Sequence, residues 1–178
     1  MKKFILILSL SFSLFAGNLI LKEGFVAAHT EVFGDSTIDP LNNVLHADLS
    51  MDADDITSIK GVLSVDMKLF VSDNSDRDEH MHESTEASTF PLASYTITEV
   101  NKNQDTDSYT LKGILHFHGV KKELSFKSEI NLDNETLSIS AISNILVSEY
   151  GIDMPCLLGF ALCVDDKIDI FAKAVLTK

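Results

Sequence analysis

The 178-residue sequence predicts an all-β fold, an antiparallel sheet of about eight strands closed into a barrel. Three observations carry this. Apolar and polar residues alternate with period two along four stretches, four more stretches read as strand candidates, and each of these is bounded by Gly, Asp, Asn or Pro turn chemistry. One-sided strands with short connections hide their edges best by closing on themselves. A two-sheet sandwich is the alternative. At about eight strands the interior of a barrel either fills with side chains or holds one small ligand.

Residues 1–16 begin with Lys2 and Lys3, run apolar from Phe4 to Phe15 with only serines interrupting, and reach small Ala16 and Gly17. This is the form of a secretory signal peptide. Cleavage is expected after Ala16, which leaves residues 17–178 as one mature domain. The apolar run is shorter than the roughly 20 residues that span a bilayer. No later segment is longer, so the sequence predicts no transmembrane anchor, and the expected location is the periplasm. The chain carries 14 basic and 27 acidic residues, a formal charge of −13 that becomes −15 when Lys2 and Lys3 leave. Such a surface repels phosphate backbones and argues against nucleic acid as a partner.

The first strand candidates are residues 19–33 and 43–51. In "KGVLSVDMKLFV", residues 60–71, Leu63, Val65, Met67, Leu69 and Val71 share one face. Residues 93–101 add Tyr95 and Ile97, and "SYTLKGILHF", residues 108–117, adds Leu111, Leu115 and Phe117 to the same side as Tyr109. In "KELSFKSEINL", residues 122–132, Leu124, Phe126, Ile130 and Leu132 oppose Glu123, Lys127, Glu129 and Asn131. Residues 136–148 contribute Ile139, and "KIDIFAKAVL", residues 167–176, contributes Ile168 and Ile170 ahead of Ala172, Ala174 and Leu176. The expected lining of an apolar lumen is Leu63, Val65, Met67, Leu69, Tyr95, Ile97, Leu111, Leu115, Phe117, Leu124, Phe126, Ile130, Ile139, Ile168 and Ile170. Small residues at dry positions, namely Gly113, Ser128, Ala141, Ala172 and Ala174, favour a hollow over a filled interior.

"SDNSDRDEHMHES", residues 72–84, breaks the alternation. Ser75-Asp-Arg-Asp78 has the Ser-x-x-acid form of a capping box, with acidic residues where a helix dipole favours them, and predicts a short helix over 76–86. On that helix Glu79, His82, Glu83 and Glu86 share a face, and Glu79-x-x-His82 has the spacing of carboxylate-bridged metal pairs. A second such pair is missing, so a solvated acidic helix is expected and no metal. His116 and His118, two apart on a predicted strand, should face outward together. A metal site there would need a third ligand from His29, His46 or the helix. A metal- or pH-responsive binding protein built on these groups is the alternative function.

Cys156 and Cys163 are the only cysteines, and export makes a structural disulfide their expected state. Closing that loop would constrain the unfolded chain by about 2.5 kcal/mol. No GxSxG, HExxH, Walker or GxGxxG motif occurs, so no catalytic residue and no cofactor is expected. Asn134-Glu-Thr136 fits the minimal glycosylation sequon.

The run Asn74-x-x-Arg77-Asp78-x-His80-Met81 resembles the N-x-x-R-D-x-H-[LM] signature of the YceI-like family of exported polyisoprenoid-binding proteins. Phe90-Pro91 and Ala93-x-Tyr95 follow at a suitable distance. Tyr109-x-Leu111-x-Gly113-x-Leu115 running into His118-Gly119-Val120-x-Lys122, and Tyr150-Gly151-Ile152, are similar to two further family segments. The resemblance covers nearly the whole mature chain. It implies an extended lipocalin-like barrel whose lumen takes the isoprenoid tail of a lipid or quinone, and it casts Asn74, Arg77, Asp78, His80, Met81, His118 and Gly119 as structural. On this reading the 72–84 block is a clasp, with Ser75 starting the helix and Arg77 bonding it across the barrel. Pairing of two barrels as a homodimer would suit a tail too long for one lumen.

Overall fold

The computed structural model describes residues 16–32, 36–154, 156–157 and 162–178; apart from Ala16, the expected leader lies outside them. The chain runs β1 (Ala16–Val32), the short β2 (Ser36–Ile38) and β3 (Leu41–Asn42), then β4 (Leu45–Asp52) and β5 (Asp55–Asp66). Helix α1 (Ser75–Ser84) follows, then β6 (Leu92–Lys102), β7 (Tyr109–Phe117), β8 (Val120–Asp133) and β9 (Thr136–Leu146). The two-residue strands β10 (Cys156–Leu157) and β11 (Leu162–Cys163) precede β12 (Lys167–Thr177). Strands β1, β4, β5, β6, β7, β8, β9 and β12 pair antiparallel in that order, and β12 returns to β1 with Ala172 opposite Val26. The sheet is therefore a closed eight-stranded barrel, as the alternation predicts.

The interior is divided. Leu19, Leu49, Met51, Ile59, Ile97, Val100, Tyr109, Ile130, Leu137 and Leu176 are buried and fill the end where β1 and β9 begin and β4 and β12 finish. Packing there is tight, with Leu137 and Leu176 at 0% exposure. The opposite end is hollow and is covered by α1, by the β2–β3 segment and by Met154 and Val164, which flank β10 and β11.

Three local expectations fail, each for a stated reason. The strand expected over 60–71 stops at Asp66, because the Asp66 carboxylate accepts the Lys68 N–H at 2.9 Å and Met67–Leu69 coils into a single 3-10 turn. The change of period buries Met67 and Phe70, three apart, and leaves Leu69 at 43% and Val71 at 52% exposure, so Leu69 is not a lumen residue. Helix α1 is capped by Asn74, not Ser75: its side chain accepts from the N–H groups of Asp76 and Arg77, both at 3.1 Å. Asp78 does not complete a capping box with Ser75; its carboxylate accepts from the Ser72 N–H at 2.8 Å and the Ser72 hydroxyl at 2.6 Å. His118 is not on a strand beside His116. With Gly119 it forms the two-residue turn between β7 and β8, at φ 48° and 75° respectively, the left-handed conformation such hairpins need. The Phe90 ring occupies the space a side chain on Gly119 would take, 2.9 Å from its β-carbon position.

Candidate ligand-binding cavity

The hollow end is a cavity of about 730 Å³, within the range of about 300–1,000 Å³ that holds small molecules. Of the residues expected at the lumen, Leu63, Val65, Met67, Tyr95, Leu111, Leu115, Phe117, Phe126, Ile139, Ile168 and Ile170 line it. Ile97 and Ile130 belong to the packed end instead, and Leu124 packs against the core without bordering the cavity. A dry strand face looks the same in sequence whether a hollow or a neighbour lies opposite. Among the small residues, Ala141, Ala172 and Ala174 border the cavity. Gly113 does not widen it, because the Tyr95 ring lies in the space its side chain would fill. Ser128 is buried, opposite Ala141 in register, and its hydroxyl has no partner among the described residues.

Val26, Ala28 and Thr30 of β1, with Phe70, Met154 and Val164, are also part of the wall. Sequence reading did not find them. In β1 both parities carry apolar residues, so alternation names no face, and the others sit outside regular strands. Three polar wall groups are satisfied internally. The Thr30 hydroxyl bonds the carbonyls of Asp165 and Lys167, each at 3.2 Å, and the Thr85 hydroxyl donates to Met81 O at 2.8 Å. The Tyr95 hydroxyl donates to Leu111 O at 3.1 Å and Leu124 O at 3.0 Å, and burial pushes its pKa well above the usual phenol value.

The mouth is framed by several bonds. Arg77 Nη1 donates to Thr37 O at 3.3 Å, a single long bond from an exposed side chain, so the expected strong clasp is weak. His82 rather than His80 ties α1 to the barrel, donating from Nε2 to Phe70 O at 2.9 Å. His29 and Asp39 meet at 2.5 Å across the β1–β2–β3 rim, and Thr37 also donates to Asp39 at 2.7 Å. The hydrogen bond to Asp39 raises the His29 pKa, and those from His29 and Thr37 lower that of Asp39. Below α1, His118 bridges Tyr150 O and the Glu86 carboxylate, each at 2.9 Å.

Cys156 and Cys163 form a disulfide that joins β10 to β11, between the wall residues Met154 and Val164. Among the described residues no three His, Cys, Asp or Glu side chains converge as metal ligands. The helix ends at Ser84, short of the expected 86, so Glu86, at φ 44°, lies beyond the face that carries Glu79, His82 and Glu83; all four border an open surface groove. No helix among the described residues is long and apolar enough to cross a membrane.

A family model described as a YceI-like domain matches residues 22–176. Among solved structures, Burkholderia cenocepacia BcnA is similar with a TM-score of 0.74 at 14% identity, over 85% of this chain and 95% of that one. The Campylobacter jejuni YCEI protein gives 0.68 at 15% identity, over 100% and 99%. A polyisoprenoid binding domain from Saccharophagus degradans, implicated in plant cell wall breakdown, gives 0.64 at 11% identity, over 90% and 97%. No curated protein sequence matches the chain.

Proposed function

The chain belongs to the YceI-like family, matched over residues 22–176, and from that premise we propose that it is a periplasmic binding protein that holds the isoprenoid tail of a quinone or polyprenyl carrier in its apolar cavity. The observation that carries this reading is the half-filled barrel: one end is solid, the other encloses about 730 Å³ walled by aliphatic and aromatic side chains. A flexible apolar tail gains about 25 cal/mol for each Å² it removes from water there, with little need for directed polar contacts. The similarity to a solved polyisoprenoid binding domain supports the ligand class. The Cys156–Cys163 disulfide suits an oxidising compartment after export. Binding rather than catalysis is the role, and the isoprenoid is cargo, not cofactor.

Native mass spectrometry of protein purified gently from cells tests this reading. A bound mass that solvent extraction identifies as an isoprenoid is the expected result, and uniformly empty protein is the contrary one. The same spectra read the stoichiometry, including a homodimer that shares one long tail between two cavities.

A further inference from the structure

Helix α1 turns one stripe toward the cavity: Arg77, His80, Met81 and Ser84, at spacings of three and four, all border it. Asp76, Asp78 and Glu79 lie off this stripe, and Glu83 stands at its edge, shared with the outer groove. In a chain with 27 acidic residues, the end of the cavity under α1 thus presents two basic side chains. Arg77 is the only arginine in the sequence.

Their donors are largely free. Arg77 makes one bond, to Thr37 O, and among the described residues no carboxylate lies within ion-pair distance of it. His80 has no hydrogen-bond partner among the described residues. Thr30, Thr85 and Tyr95 have their hydroxyls occupied by backbone carbonyls, whereas the wall side chains of Ser64, Ser84, Ser94 and Lys173 also lack a hydrogen-bond partner among the described residues; of all these donors only Arg77 and His80 are basic groups on α1. A ligand group rich in acceptors therefore finds unoccupied donors at the α1 rim, and an arginine fork matches a phosphate or carboxylate in geometry as well as charge.

We propose that the α1 rim is a headgroup subsite in which Arg77 and His80 receive an anionic phosphate or carboxylate group, so that the cavity selects acid-headed prenyl ligands over neutral ones with the same tail. This rests on the tail-binding reading above. The tail runs inward toward Phe126 and Ile139, and the headgroup stays at the mouth.

Geranylgeranyl monophosphate and geranylgeraniol have one tail and differ only in the headgroup, so their affinities for delipidated full-length protein separate the two claims. The phosphate is expected to bind at least about tenfold more tightly, and Arg77→Gln to remove that preference while alcohol binding stays the same. Arg77→Lys should keep part of it, and geranylgeranoate should behave as the phosphate does. Thermal melts of the variants establish that the rim is folded. Competition by millimolar inorganic phosphate distinguishes a lipid headgroup subsite, which it barely affects, from a free-anion site, which it fills and which would overturn the lipid assignment. Equal affinity for phosphate and alcohol, or an unchanged preference in folded Arg77→Gln, overturns the headgroup proposal and leaves tail binding intact. Failure of both probes to bind overturns the tail reading and this proposal with it.

Discussion

Tyr95 lies over Gly113, close enough that a β-carbon on the glycine would stand 2.6 Å from the ring's Cζ and 2.8 Å from its hydroxyl oxygen. The missing side chain lets a phenol cross the inner face of β7 and donate to Leu111 O and Leu124 O on two strands. The same β-carbon would meet the Thr96 carbonyl at 2.2 Å, and backbone cannot swing aside as a side chain can. Gly113→Ala should therefore cost about 1–3 kcal/mol through forced backbone shifts. Tyr95→Phe, which removes only the hydroxyl, should cost about 1 kcal/mol. Urea unfolding measures both, and an alanine variant as stable as the parent would refute the close-approach argument.

That relationship also marks where sequence reading ends. The barrel was legible because a half-buried strand must alternate, and β7, β8 and β12 do so with few exceptions, such as Ile114, Ser128 and Phe171. The clasp motif was legible as a break in the alternation. Its bonds were not: Asn74 and Ser75 are both good caps, and only the backbone decides between them. His116 and His118 read as one face because a two-residue turn shifts the phase without changing the composition. The boundary between packed and hollow ends was illegible for a deeper reason. Ile130 and Phe126 occupy equivalent dry positions four residues apart, and what lies opposite each is set by strands far away in the chain.

Stability should depend on pH through the pair at the rim. The His29 pKa is raised from 6.5 in the fold, so its contribution is fully present below that value and is lost as pH rises through the higher folded value. The Asp39 pKa is lowered from 3.8, so its contribution is present above that value and is lost as pH falls through the lower folded one. Both operate together between those limits. Urea midpoints of the parent and His29→Gln should differ in that window and converge above the raised histidine value. Because both side chains are about half exposed, at 44% and 59%, the gap should shrink in high salt. A gap that widens with rising pH would contradict the assignment.

His118 holds two chain segments at once, with Glu86 on one side and the Tyr150 carbonyl on the other. The histidine side chain is 10% exposed and that of Glu86 is 57% exposed, which limits their coupling to about 1 kcal/mol. A double-mutant cycle of His118→Gln and Glu86→Gln, read by urea unfolding, should return that value. The His118 variant alone should cost more than the Glu86 variant, since it also releases Tyr150 O. Strict additivity would mean that the contact carries no energy.

Ser128 offers a change in the opposite direction. Its hydroxyl is buried inside the barrel without a partner among the described residues, so Ser128→Ala should raise stability by about 1 kcal/mol. Because Ser128 does not border the cavity, the same variant should keep its ligand occupancy in native spectra. A variant that is less stable in the delipidated state would show that the hydroxyl has a partner after all.

The division of the barrel can be tested by opposite substitutions at its two ends. Ala141 borders the hollow, whereas Ile97 is buried at 3% exposure in the solid end. Ala141→Phe adds a ring where about 730 Å³ stands open, so its cost in overpacking is small and its newly buried surface is stabilising. It should melt at or above the parent temperature and carry less isoprenoid when recovered from cells. Ile97→Ala removes atoms from a close-packed region and should cost about 2–5 kcal/mol. Each molecule that remains folded should keep its ligand, because the wall of the cavity is untouched. Ala141→Phe thus loses occupancy without stability and Ile97→Ala loses stability without occupancy, a separation that no single effect on folding reproduces. Full occupancy in Ala141→Phe would place the cargo somewhere other than this cavity.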